Sequence, residues 1–338
     1  MIPLHKSFVT RIVCSVLTVL LFTLVLPAAR AQEEAQKYTM EEYKAFEAIG
    51  AETDIAKKTG LIMQFLKERP QSTLRPNVLG AYQGMIGSLQ SAKRWHELIS
   101  AGEQFITLVP EDVYTTALLA TGYQETKNYG KFVSYGEKVF DKGPNGNLAY
   151  YLAKAYLQLN NQAKFLQWGE KTVGFMPDNY EILVELTKQY GDARKFPQAI
   201  KHGKACLKAI QSATKPEPMA EKAWKDYVTN TNATCYYIIG YSSVQLKDYA
   251  NGVANLENST KYYKRNEMAY YHMAEAYWQI NNIALAMLNY AKAYVLGGTV
   301  SKSAKQNLDN LYKTTHQQRL DGQERIINMA KEQLNKAL

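Results

Sequence analysis

What the chain is short of narrows its chemistry before any motif is read. It has only three cysteines in 338 residues, and no Cys-x-x-Cys pair that would hold zinc or run a redox cycle. The His-Glu-x-x-His helix of zinc hydrolases and a glycine-rich phosphate loop are both missing. His96, His202, His272 and His316 are scattered along the chain, whereas a metal site needs convergent donors. Carboxylates are plentiful, yet no pair stands out as an acid–base dyad. No catalytic residue, metal ligand or cofactor is therefore expected, and the chain reads as a non-enzyme. Proline is scarce, at 10 residues, and after Leu26 no apolar run is long enough to cross a bilayer. With 46% hydrophobic residues and 25 tyrosines, the chain can still bury a sizeable core.

Its start is of a different kind. Lys6 and Arg11 precede a mostly apolar run from Ile12 to Leu26, followed by Pro27 and Ala29-Arg30-Ala31. A basic opening, a short apolar run and a small-residue ending describe a cleavable secretory signal over residues 1–31, cut after Ala31. Cys14 has no lipobox after it, so lipidation is not expected. Cleavage removes Lys6, Arg11 and Arg30 and no acid, which lowers the formal charge from +9 to +6. An excess that small, spread over many helices, means solvated faces, and export argues against nucleic acid as a partner. Cys206 and Cys235 remain. An oxidising compartment would permit a bridge between them, while two buried free thiols is the plainer reading.

The rest of the chain is organised by one recurring phrase, clearest between Glu267 and Gly298. Tyr270, Met273-Ala274 and Tyr277 mark one helix, Asn281-Asn282 a break, Ala286, Tyr290 and Ala293 a second helix, and Gly297-Gly298 a stop. The small residues let the two helices approach closely. Copies begin near Tyr43, Leu79, Val113, Gly146, Tyr180 and Ala233, and Pro70, Pro110, Pro144 and Pro177 close four of them where a helix cannot continue. Glycine recurs at one phase of the second helix, at Gly102, Gly136, Gly169 and Gly203, spaced by 34, 33 and 34 residues. Glycine costs about 1 kcal/mol against alanine inside a helix, so these positions imply close approach of a bulky neighbour. Trp95, Tyr129 and Phe165 are expected near the space so freed. Residues 211–230 interrupt the period with a breaker at Ser212–Pro218, followed by Met219–Tyr227 as an extension of the next helix.

These residues resemble the tetratricopeptide repeat, a helix–turn–helix unit of about 34 residues. The resemblance covers residues 39–298 and implies an all-α, right-handed α-solenoid of about seven helical hairpins with a C-terminal capping helix. The expected organisation is a signal peptide at 1–31, a repeat array at 32–299 with the insertion at 211–230, and capping helices at 300–338. Together with the signal, it looks like the exported tetratricopeptide proteins of Gram-negative bacteria, which implies a periplasmic location.

In that family the first helices line a concave groove that holds peptides or partner helices. The corresponding offsets here give Tyr150, Lys154, Lys188, Tyr237, Tyr241, Tyr271, Glu275 and Trp278 as ligand-binding candidates, with Gln83 and Thr121 beside them. The family's clamp for a terminal carboxylate does not carry over, since Gln83, Gly87, Leu118, Asn147 and Tyr151 stand at its positions. The expected function is a non-catalytic scaffold of the periplasm or cell envelope. It binds other proteins or peptides, inserts in no membrane after signal cleavage, and belongs to a possible envelope complex. The alternative is a glycan- or peptidoglycan-binding carrier, or an accessory subunit of an envelope enzyme, with the same aromatics stacking on sugars.

Overall fold

The structure, a computed structural model, describes residues 38–336, and the expected signal with its cleavage point lies outside the described residues. Sixteen α-helices and no strand occur among the described residues. They fall into two compact units that divide between Asn161 and Gln162. The N-terminal unit holds α1 (Met40–Ala51), α2 (Ile55–Glu68), α3 (Arg75–Ser91), α4 (Trp95–Leu108), α5 (Val113–Glu125), α6 (Tyr129–Lys142) and α7 (Gly146–Gln158). The C-terminal unit holds α8 (Gln162–Phe175), α9 (Tyr180–Asp192), α10 (Phe196–Ser212), α11 (Glu221–Gln245), α12 (Tyr249–Tyr262), α13 (Glu267–Gln279), α14 (Ile283–Leu296), α15 (Ser301–Thr315) and α16 (Gln323–Asn335). Within each unit consecutive helices pack on one another as far as α15, and α16 packs back on α14. Alternate helices touch as well, α1 with α3, α9 with α11 and α11 with α13, as in a stack of hairpins.

Local chemistry sets the helix boundaries. Asp54, Asp112, Asn128, Asn145, Asn179, Asn266 and Asn282 each sit at an N-cap, and each side chain accepts the backbone N–H three residues on. Such a cap contributes about 1 kcal/mol. The turn inside a hairpin is equally regular. Lys93, Lys127, Asn160, Arg194, Lys247 and Asn281 all take positive φ. The N–H after each reaches back to a carbonyl in the last helical turn, as from Asn128 to Tyr123 at 2.9 Å and from Asn282 to Tyr277 at 2.8 Å. This is the left-handed helix stop. Pro70, Pro110, Pro144 and Pro177 each lie two residues past the end of α2, α4, α6 and α8, as expected.

The recurrent glycines are close-approach points, with a different neighbour from the one expected. A Cβ at Gly102 would lie 2.9 Å from Leu119, at Gly136 2.9 Å from Leu152, at Gly169 2.8 Å from Leu186, and at Gly203 2.7 Å from Ile239. The space is filled by an aliphatic side chain from the first helix of the following hairpin. Trp95, Tyr129 and Phe165 are not among the nearest neighbours of these positions; the aromatic ring that is, Phe132 at 3.4 Å from a Cβ at Gly136, lies one turn earlier on the glycine's own helix.

The interruption at 211–230 resolves into a connection at 213–220 and a long α11 of 25 residues. Its added turns are helical, as the sequence suggests, and they carry Trp224 and Tyr227. These rings pack edge-on against Tyr180 at 5.8 and 5.9 Å. At the C-terminus, Leu308, Leu311 and Tyr312 of α15 and Ile327 and Ala330 of α16 join the core of the last hairpin.

Cys206 of α10 and Cys235 of α11 are free thiols, each 0% exposed. They share one small cluster with Leu183, Val184 and Ala209. The Cys206 Sγ points at the Tyr180 carbonyl at 3.7 Å. Proximity to Cys206 and burial push the Cys235 thiol well above its ordinary range, so little thiolate is available to react. Under reducing, native conditions both thiols are expected to react with a maleimide on the order of 100-fold more slowly than after unfolding. Mass spectrometry of timed labelling checks this, and rapid labelling of the folded protein would contradict the packing.

Candidate functional site

The first helices of the C-terminal unit bring five of the eight candidate residues onto adjoining surfaces. On α11, Tyr237 and Tyr241 stand one helical turn apart with rings nearly parallel and 6.3 Å between centroids. On α13, Tyr271, Glu275 and Trp278 follow at i, i+4 and i+7, the spacing of one helix face. Between the two sets lies His272, a residue that periodicity alone left unassigned. Its ring sits 4.7 Å from Tyr241 and 6.3 Å from Tyr237, and its Nδ1 lies 2.7 Å from Glu275 Oε2. A neighbouring hairpin thus locks its position onto the α11 tyrosines through one imidazole.

Exposure across this face is graded. Trp278 is 51% exposed. Tyr237, Tyr241, Tyr271 and Glu275 are half-buried. Tyr241 rests edge-on against Phe196 at 5.9 Å. The Tyr271 hydroxyl accepts a hydrogen bond from Asn307 Nδ2 of α15 at 3.1 Å, and its ring meets Tyr290 at 5.6 Å. Burial, with the negative charge of neighbouring groups added, pushes the Tyr237 phenol up to about 12. Burial and then Glu275 raise Tyr271 as well. Both phenols stay neutral near neutral pH and present polar tips on an aromatic surface.

Lys188, on α9, is half-buried and pairs with Glu185 at 2.9 Å, so it offers less free charge than its offset implies. Tyr150 and Lys154 lie on α7, in the N-terminal unit. There the Lys154 ammonium donates to the Tyr150 hydroxyl at 3.1 Å and stands 5.2 Å over its ring. These two form a local pair, described apart from the C-terminal face.

A second recurring feature governs how each face is presented. A tyrosine near the end of a first helix donates its hydroxyl to a glutamate on the preceding second helix. The pairs are Tyr123 to Glu103 and Tyr156 to Glu137, both at 2.6 Å, and Tyr190 to Glu170 and Tyr277 to Glu257, both at 2.7 Å. The Tyr123 hydroxyl, followed by Lys131, holds the Glu103 carboxyl below its usual range. His202 also reaches Glu170, at 2.8 Å, while stacking on Tyr190. The sequence did carry a signal for this: three of the glutamates directly follow Gly102, Gly136 and Gly169.

No family model matches the chain, and no curated protein sequence matches it. Solved structures do show likeness. One is a crystal structure of MamA, at 18% identity, covering 55% of this chain and 95% of that one with a TM-score of 0.41. MamA from Desulfovibrio magneticus RS-1 is 15% identical, covering 58% and 94% with a TM-score of 0.39. YrrB, described as a TPR protein with an unusual peptide-binding site, is 13% identical, covering 62% and 95% with a TM-score of 0.39. In each unit of this chain, the helices themselves form a run of tetratricopeptide-like hairpins in an all-α fold.

Proposed function

We propose that the α11–α13 face of the C-terminal unit binds partner polypeptides, and that the protein is a non-catalytic scaffold of the cell envelope. The observation that carries this is Trp278, which leaves half of its surface in water on the same face of α13 as Glu275 and Tyr271, with Tyr237 and Tyr241 on the adjoining α11. Tryptophan and tyrosine give large contact areas at low entropic cost and dominate binding hot spots. Around them, packing against His272, Asn307 and Phe196 holds the surface in shape before any partner arrives, which lowers the ordering cost of binding. The export part of the proposal rests on residues 1–31.

The test compares the exported protein with its Trp278→Ala variant, immobilised and exposed to envelope extract. Trp278 is exposed, so its removal is expected to leave the helical dichroism unchanged. At least one retained protein should be lost from the variant, with affinity falling about 10- to 30-fold for a hot-spot tryptophan. Identical retention by both forms would remove the α13 face from the binding surface. Fractionation with N-terminal sequencing checks the location, and a mature chain beginning at Gln32 in the periplasmic fraction is the expected result. Exposed aromatic faces also suit sugars. Saturable binding of cell-wall fragments lost in Trp278→Ala, without loss of any protein, would replace the scaffold reading with the glycan-binding one.

A further inference from the structure

Several tyrosine and tryptophan rings of the chain carry a cation of their own. A lysine ammonium stands over Tyr135 at 5.6 Å, Tyr150 at 5.2 Å, Trp168 at 3.9 Å, Tyr190 at 5.9 Å, Tyr270 at 5.2 Å and Tyr294 at 5.8 Å. These are cation–π distances. Among the described residues no lysine or arginine stands over Tyr237, Tyr241, Tyr271 or Trp278, although the chain carries 40 such residues. At that same place a carboxylate is set between two of the uncovered rings: Glu275 lies one turn from Tyr271 and one turn from Trp278. Its oxygen pairs with an imidazole, His272, rather than with a lysine or arginine. An exposed tryptophan, rings that carry no cation of their own and a half-buried carboxylate on the same helix face favour one kind of guest.

We propose that the Tyr271–Glu275–Trp278 stripe takes a lysine or arginine side chain of the partner polypeptide, so that the recognised segment is basic. This rests on the binding face proposed above and names the chemistry of what it holds. The ammonium or guanidinium lies against the Trp278 and Tyr271 faces with Glu275 as its counter-ion. That arrangement reproduces between molecules what Lys171 and Trp168 do within the chain. His272 holds the carboxylate in place, and the α11 tyrosines flank the aliphatic stem.

A random 12-residue peptide library displayed on phage and selected against the mature protein tests the assignment, with parallel selections against Glu275→Gln and Trp278→Ala. Glutamine keeps an acceptor for His272 while removing the charge, so this variant isolates the counter-ion. Selected binders are expected to be enriched in lysine or arginine at one position, and a representative peptide should bind Glu275→Gln about 10-fold more weakly. Its affinity for the wild type should fall as salt rises. Binders that depend on Trp278 but show no basic enrichment, or that bind Glu275→Gln unchanged, overturn the cation assignment and leave the binding face standing. If no selected peptide depends on Trp278, the binding face and the cation assignment fall together.

Discussion

Above about pH 10 the protein is expected to lose its helical fold cooperatively, because tyrosine side chains are built into its joints. Tyr123, Tyr156, Tyr190 and Tyr277 are at most 8% exposed and donate their hydroxyl to a glutamate on the preceding hairpin. Burial first, then the hydrogen bond to the carboxylate, raises each phenol far above its ordinary value of 10.0. Burial does the same to Tyr82, Tyr227 and Tyr290. In the unfolded chain these groups release a proton near pH 10, while in the folded chain they keep it. Below that pH both states are protonated and the full contribution is present. Above it the unfolded state binds fewer protons, and stability falls by about 1.4 kcal/mol per pH unit for each such tyrosine. With two glutamate-bonded tyrosines in each unit, these bonds alone remove about 3 kcal/mol per pH unit from each, so that two pH units approach the whole stability of a domain. Tyrosinate absorbance and far-ultraviolet dichroism followed together should change in one transition. Tyrosinate forming near pH 10 with the helical signal intact would contradict the buried bonds. Tyr190→Phe and Tyr277→Phe should each flatten the pH slope by about 1.4 kcal/mol per unit.

Those tyrosines show where reading the chain as a sequence succeeds and where it stops. Tyr277 is visible as a packing residue of the repeating phrase, because helical spacing marks the side that must be buried. Its bond to Glu257 spans two hairpins, and no local pattern encodes the distance between them. The recurrent glycines behave the same way. Gly102, Gly136 and Gly169 mark where space is needed, but the side chains that use it, Leu119, Leu152 and Leu186, belong to the next hairpin, 16 or 17 residues on. Ile239 answers Gly203 from much further along, because the added turns of α11 intervene. Turn chemistry is legible at Asn160 and Asn281, which tolerate the left-handed conformation. At Lys93, Lys127, Arg194 and Lys247 the same conformation is imposed by the hairpin and leaves no compositional trace.

The candidate face shows the same division. The spacing of Tyr237 and Tyr241, and of Tyr271, Glu275 and Trp278, places each set on one side of its helix. Which of them water reaches depends on His272, Asn307 and Phe196, contributed from α13, α15 and α10. Of the five, Trp278 alone stands clear of the neighbours, at the exposed end of α13. The tyrosines serve twice, as binding surface and as part of the packing that positions the next helix. This is why the proposed binding tests turn on Trp278 and Glu275, whose removal leaves the hairpin contacts in place.

The largest expected effect of a single substitution on stability is at Gly240, in the interior of α11. There α11 and α12 cross so closely that a Cβ would lie 2.6 Å from Leu256 Cγ, 2.9 Å from the Leu256 backbone N and 3.0 Å from the Gly252 backbone O. A side-chain tip can rotate away, but backbone atoms move only with their helix, so Gly240→Ala must push the two helices apart. Such overpacking costs about 3 kcal/mol, which for a unit of this size lowers Tm by about 6–12 °C. Gly169→Ala meets side-chain atoms, the branched end of Leu186 and, at 3.5 Å, Ile182, and no backbone atom is among the three nearest. The gain of about 1 kcal/mol in helix propensity offsets part of that clash, and a smaller loss is expected. Gly174→Ala, in the same unit and with nothing within 4 Å of its Cβ, should leave stability unchanged or raise it by up to about 1 kcal/mol. Thermal unfolding of the three variants beside the wild type gives the order directly. If Gly240→Ala melts with Gly174→Ala, the helices do not meet backbone to backbone at this crossing. If it melts far below both, the glycines at 240 and 252 set the spacing on which the Tyr237–Tyr241 surface of α11 is carried.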